Sequence, residues 1–124
     1  MVLRGVRGAT TIEQNAEAVI LSATEELLAK MIEVNGIEPE VVASVFISAT
    51  DDVTAGFPAK ALRRFPGWTY VPVMCMQEMH VPNSLKYCVR VMMHVNTDKT
   101  QKEIVHIYLK DAQTLRPDLN EPSL

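Results

Sequence analysis

The sequence predicts an α+β domain: a mixed β-sheet with one long helix laid across a face. Two patterns carry that reading. Ala16, Val19, Ile20, Ala23, Leu27, Met31 and Val34 recur at helical spacing, while Glu13, Glu17, Glu25, Glu26, Lys30 and Glu33 fall mostly on the other side. That is a helix with one buried stripe. Elsewhere, short runs rich in Val, Ile, Met and Thr are separated by turn residues, as strands are. The elements come in the order β-α-β-α-β-β-β, which one mixed sheet accommodates.

Val2–Thr10 reads as the first strand, with Gly5 and Gly8 as flexible points. Arg4 and Arg7 interrupt it. Being three apart, they point to opposite faces, so one is solvated and the other meets whatever lies behind the sheet. The polar stretch Thr11–Asn15 opens the helix, with Asn15 as its cap, and Asn35-Gly36 stops it. Pro39 begins a turn or short helical start, and Val41–Ser48 is the second strand. After the loop at Thr50-Asp51-Asp52, a second helical segment starts at Pro58 in FPAKALRRF. It brings Lys60, Arg63 and Arg64 within one turn; a solvated basic face is the plain account of them.

Pro66-Gly67 turns the chain into a third strand, from Trp68 to about Met76. The runs Val71–Met79 and Tyr87–Val95 flank Pro82-Asn83-Ser84. Paired as a hairpin folded near Ser84, they set Glu78 opposite Arg90. An Arg inside CVRVMMHV is costly to bury unless something anionic meets it. A cross-strand ion pair is one account. A site for an anionic ligand is the other, and the further cations of the chain favour it. Gln101–Glu103 adds a helical turn, and Ile104–Leu109 is a fifth strand carrying His106 and Tyr108 on one face. Residues 1–110 thus form a single domain. Residues 111–124 are polar and hold Pro117 and Pro122, so they read as a mobile C-terminal tail. One sheet and two helices leave apolar sheet surface uncovered, and a homo-oligomer would cover it.

At 124 residues the chain is long enough for one core. Its net charge of −3 argues against nucleic acid or an anionic membrane as partner. No apolar run is long enough to span a membrane, and MVLRGVRG lacks the apolar core of a signal peptide, so the cytoplasm is the expected compartment. Cys75 and Cys88, with His80, His94 and His106, match no zinc spacing; both cysteines are expected to be buried thiols, with no disulfide and no metal.

Arg7, FPAKALR (57–63), WTYVPVMCMQEM (68–79), CVRVMMHVNTD (88–98), HIYL (106–109) and LRPDL (115–119), in that order, resemble the small monofunctional chorismate mutases of the AroH type. The resemblance covers nearly the whole chain. It implies a pseudo-α/β-barrel homotrimer with active sites between subunits, rearranging chorismate to prephenate without cofactor or metal. It implies Arg90, Glu78, Arg7 and Tyr108 as the central substrate contacts. Phe57, Ala59, Lys60, Arg63, Val73, Met74, Cys75, Leu115 and Arg116 would form the pocket wall and mouth. A member of that family carries a smaller polar residue where this chain has Met74, so that wall would be more apolar here. Two other classes stand beside this reading: an enamine hydrolase of the RidA kind, whose motifs the chain lacks, and a carboxylate-binding module without turnover.

Overall fold

The computed structural model describes residues 1–120; the last four residues of the expected tail, Pro122 among them, lie outside the described residues. Five strands form one sheet: β1 (Val2–Thr11), β2 (Val42–Ala49), β3 (Val73–Gln77), β4 (Cys88–Thr97) and β5 (Ile107–Tyr108). Their order is β3-β2-β4-β1-β5. β4 runs antiparallel to both β1 and β2, while β3 is parallel to β2 and β5 parallel to β1. The sheet is mixed, as its sequence pattern predicts.

The helix α1 (Glu17–Asn35) packs its stripe of Ile20, Ala23, Leu27, Leu28 and Met31 against the sheet side that carries Val6, Val45, Ile47, Val89, Val91 and Met93. Gly8 permits the close approach. A Cβ there would stand 2.5 Å from Met31 Sδ and 3.0 Å from Leu27 Cδ1, both fully buried side chains. Gly36 ends the helix at φ 61°, with the Ile37 N–H bonded back to the Ile32 carbonyl at 2.9 Å. This is the left-handed stop that glycine supplies most cheaply. Asn15 does not cap the helix; Ala16 holds that position. The Asn15 amide instead accepts the N–H groups of Thr54 and Ala55, each at 3.0 Å, and ties the 54–55 loop to the helix start.

The 3₁₀ helix Pro58–Arg64 covers the same sheet face, burying Pro58, Ala61 and Leu62. Among the described residues the opposite face receives no long helix: the 3₁₀ turn of Lys110–Thr114 packs Ala112 with Ala9, Cys88 and Tyr108. No helix among the described residues is long and apolar enough to cross a membrane.

Three further expectations need correction. The runs 71–79 and 87–95 do not pair with each other, because β2 lies between them. Its inner face carries Val45 and Ile47 and its outer face Ser44, Phe46 and Ser48; it takes the place between β3 and β4, and β3 becomes an edge. A parallel β2–β3 pair needs a long crossover, and residues 50–72 supply it. The third strand begins at Val73 rather than Trp68; Trp68 sits in a turn, buried in the core, and its carbonyl accepts the Val71 N–H. β5 holds two residues rather than six. The backbone of Val105 pairs with the Asn35 side-chain amide, through bonds of 2.9 Å in both directions, and this takes it out of strand pairing.

Candidate active site

The uncovered sheet face carries the charges that the sequence singles out. Register puts Arg7 beside Met92, Ala9 beside Arg90, Ser48 beside Arg90 and Phe46 beside Met92. Neighbours in register share a face. A cavity of about 460 Å³ opens over them, lined by Arg7, Ser48, Met76, Arg90, Tyr108, Leu115 and Arg116, with Phe46 and Met92 as an apolar floor. Glu78 meets this group although the expected hairpin is absent. It follows the last residue of β3, where its N–H donates to the Ala49 carbonyl at 2.8 Å. Its Oε2 then lies 3.3 Å from Arg90 Nε and accepts the Ser48 hydroxyl at 2.8 Å. The pair meets across β2 rather than along a shared ladder.

Arg90 is not a buried charge: its side chain is 45% exposed, and that of Glu78 27%. The desolvation cost that an Arg in an apolar run implies is therefore avoided, because the open face lets the guanidinium reach a wet cavity. Arg7 donates from Nη2 to the Tyr108 hydroxyl at 2.8 Å, and its backbone N–H donates to His106 Nδ1 at 2.9 Å. Burial pushes the His106 pKa down, helped by Arg7 and Arg116, and keeps its ring a neutral acceptor. Arg116 grips Asp118 with two nitrogens, at 3.1 and 3.0 Å. Burial pushes both thiols up; at Cys88 the adjacent Arg90 offsets this in part. Neither is a poised thiolate. Among the described residues no group of three or more His, Cys, Asp or Glu could hold a metal ion.

The remaining expected site residues lie elsewhere. Phe57, Lys60 and Cys75 line a second cleft of about 560 Å³ beside the Pro58–Arg64 helix, with Glu17 and Met76. Lys60 pairs with Glu17 at 3.6 Å, Ala59 and Cys75 pack against the core, and Arg63 is exposed without an ion pair among the described residues. Val73 sits beside Val45 on the helix-covered side, whereas Met74 sits beside Phe46 on the open side. The structure thus gathers Arg7, Glu78, Arg90, Tyr108, Leu115 and Arg116 into one group. It leaves Phe57, Ala59, Lys60, Arg63, Val73 and Cys75 in another, across the edge strand β3.

Sequence reasoning missed Ser48 under the Glu78–Arg90 pair and Glu17 beside Lys60. Ser48 depends on the register of β2 with β4, which the expected hairpin displaced. Glu17 was legible only as a polar residue of the helix.

Comparison with known proteins bears on the whole chain. Residues 3–119 match the family described as chorismate mutase type I. The chorismate mutase AroH of Bacillus subtilis (strain 168) is 54% identical over 120 residues, 97% of this chain and 94% of that protein. The chorismate mutase AroH of Thermus thermophilus is 44% identical over 119 residues, 95% and 97% of the two chains. A solved chorismate mutase from Clostridium thermocellum superposes with a TM-score of 0.86 at 47% identity, covering 90% of this chain and 98% of that one. With a sheet that exposes two arginines over an open cavity, and relatives matched nearly end to end, this chain belongs to the type I chorismate mutase family.

Proposed function

We propose that this protein rearranges chorismate to prephenate, on the route to phenylalanine and tyrosine, and that Arg90 stabilises the transition state. The reaction is a [3,3] sigmatropic shift: within one molecule an ether C–O bond breaks as a C–C bond forms. It needs no nucleophile, proton transfer, cofactor or metal. What a protein can contribute is orientation of the flexible enolpyruvyl arm and stabilisation of charge that builds on the ether oxygen.

The observation that carries this reading is the Arg90 guanidinium, braced through Nε on Glu78 at a cavity it shares with Arg7 and Tyr108. Beyond its contact with Glu78, the guanidinium has further N–H groups that would donate to the ether oxygen as it becomes enolate-like. That interaction grows toward the transition state, as acceleration requires. Arg7, held by Tyr108, grips a carboxylate. Glu78 Oε1, which accepts no hydrogen bond among the described residues, takes the ring hydroxyl. The substrate is a dianion, and Lys60, Arg63 and Arg116 would draw it in despite the net charge of −3.

The division of the expected residues into two groups supports a homotrimer in which neighbouring subunits complete each site. One subunit would supply Arg7, Glu78, Arg90, Tyr108, Leu115 and Arg116, and the next the wall of Phe57, Ala59, Lys60, Arg63, Val73 and Cys75, with Met74 at the edge. The uncovered sheet face, with Met74 59% and Met76 44% exposed, gives such an assembly apolar surface to bury. The C-terminal segment from Asp111 would settle over the bound dianion as a lid through Leu115 and Arg116. Two free thiols suit a reducing compartment, the cytoplasm.

Incubation with chorismate, followed as loss of its diene absorbance, tests the activity. A folded Arg90→Ala variant should lose kcat by about a thousandfold, the scale of one preorganised donor removed from a developing oxyanion. Parental kcat in that variant would refute the role of Arg90.

A further inference from the structure

We propose that Ser48 is a positioning residue for catalysis: its hydroxyl fixes the Glu78 carboxylate so that the carboxylate in turn aims Arg90. The inference rests on the reading of Arg90 and Glu78 given above. Glu78 is poorly held by its own element. It lies one residue beyond β3, and β3 is an edge strand, so beyond its own N–H bond to Ala49 the side chain gains no support from a second neighbouring strand. A Glu side chain has several rotatable bonds, and its terminal torsion is broad. Left alone, it would offer Arg90 a moving partner.

Ser48 removes that freedom. It sits on the central strand β2, directly beside Arg90 in the ladder, on the face that lines the cavity. Its one proton goes to Glu78 Oε2 at 2.8 Å, and the same oxygen meets Arg90 Nε at 3.3 Å. A hydroxyl bonded to a carboxylate makes a strong, directional contact. Two donors therefore converge on Oε2 from two adjacent strands, which sets the carboxylate plane. Oε1 is then presented to the substrate hydroxyl, and the outer nitrogens of Arg90 to the ether oxygen. The hydroxyl is spent on Glu78 as donor, so its effect on the substrate runs through Glu78 and Arg90.

A loosened carboxylate should affect the chemical step more than substrate capture, which Arg7, Lys60 and Arg63 retain. Ser48→Ala should lower kcat by about ten- to a hundredfold, the cost of a small misplacement in a preorganised site, while KM moves by less than about threefold. Ser48→Thr keeps the hydroxyl and should recover kcat to within about threefold of the parent. In a Glu78→Ala background the further change Ser48→Ala should cost less than about twofold, because nothing remains to be held. Thermal melts establish that the variants fold. If Ser48→Ala does not, Ser48→Cys, with its weak donor, carries the same expectation. A folded variant with kcat within about twofold of the parent overturns the proposal, as does an equal loss with or without Glu78. Parental kcat in Glu78→Ala would instead sink the reading of the Glu78–Arg90 pair beneath it.

Discussion

At the scale of single residues, the site depends on which groups stay charged and which stay neutral. Arg90 and Arg7 are permanent cations at any pH of interest. The His106 pKa is pushed down by burial, and the charges of Arg7 and Arg116 add to this by disfavouring a third positive charge. The two thiols are pushed up by burial and remain protonated. With no proton moved in the rearrangement, kcat should be nearly flat from about pH 6 to 9, and a bell-shaped profile in a folded protein would point to general acid–base chemistry instead. Stability should not be flat on the acid side. The folded pKa of His106 lies below its ordinary 6.5, so as pH falls through 6.5 the unfolded chain takes up a proton first. Stability tied to His106 is complete above that value and declines below it, until the folded state also protonates. Urea midpoints at pH 7.5 and 5 should differ more for the parent than for His106→Gln, whose amide can still accept the Arg7 N–H without titrating. Equal differences would show that His106 has no such part.

At the scale of elements, legibility followed the kind of information each segment carries. The helix was readable because its stripe repeats with the helical period, and its end because only Gly36 suits a left-handed position. Glu78 was expected opposite Arg90 through a hairpin that does not form; the two meet all the same, across β2. Which strand pairs with which is not written in alternation, and Val71–Met79 was given the wrong neighbour. VASVFISA offers no clue to its central place, since its outer face carries Ser44 and Ser48. Asn15 as a cap and the length of the fifth strand were misread for a shared reason: the amides of Asn15 and Asn35 bond to distant backbone, at Thr54 and Val105, which local spacing does not reveal. Two predictions belong to this scale. Gly8→Ala drives a methyl into Met31 and Leu27, both fully buried, so it should destabilise the fold by about 1–3 kcal/mol in denaturant melts, the usual penalty of overpacking. An unchanged midpoint would mean that α1 can shift away at no cost. Truncation before Leu115 tests the proposed lid. It removes Leu115 and Arg116 from the cavity wall but leaves Arg90 and Glu78 in place. KM should rise, and kcat/KM should fall more than kcat. A collapse of kcat with KM intact would place the segment in the chemical step instead.

At the scale of the whole molecule, the proposed site requires two groups of residues on either side of β3 to meet on one substrate. Within a single chain, Arg63 and Lys60 flank the helix-covered side while Arg90 and Arg7 lie on the uncovered one. A three-fold arrangement in which the second cleft of one subunit adjoins the first cleft of the next resolves this, because a heterologous contact repeated around a closed ring joins unlike surfaces. It also makes a quantitative demand. Let Arg90→Ala and Arg63→Ala proteins be unfolded together in equal amounts and refolded, so that trimers form at random. A site is intact only where the subunit giving the Arg90 wall is the Arg63 variant and its neighbour is the Arg90 variant. Each condition holds half the time, so about a quarter of all sites should regain both arginines, and activity at low chorismate should recover to about a quarter of the parental value. Each variant refolded alone should stay impaired. If the two residues came from the same subunit, every site in the mixture would lack one of them and no mixing ratio would restore activity. A monomer by light scattering at micromolar concentration would end the trimer reading whatever the mixing result.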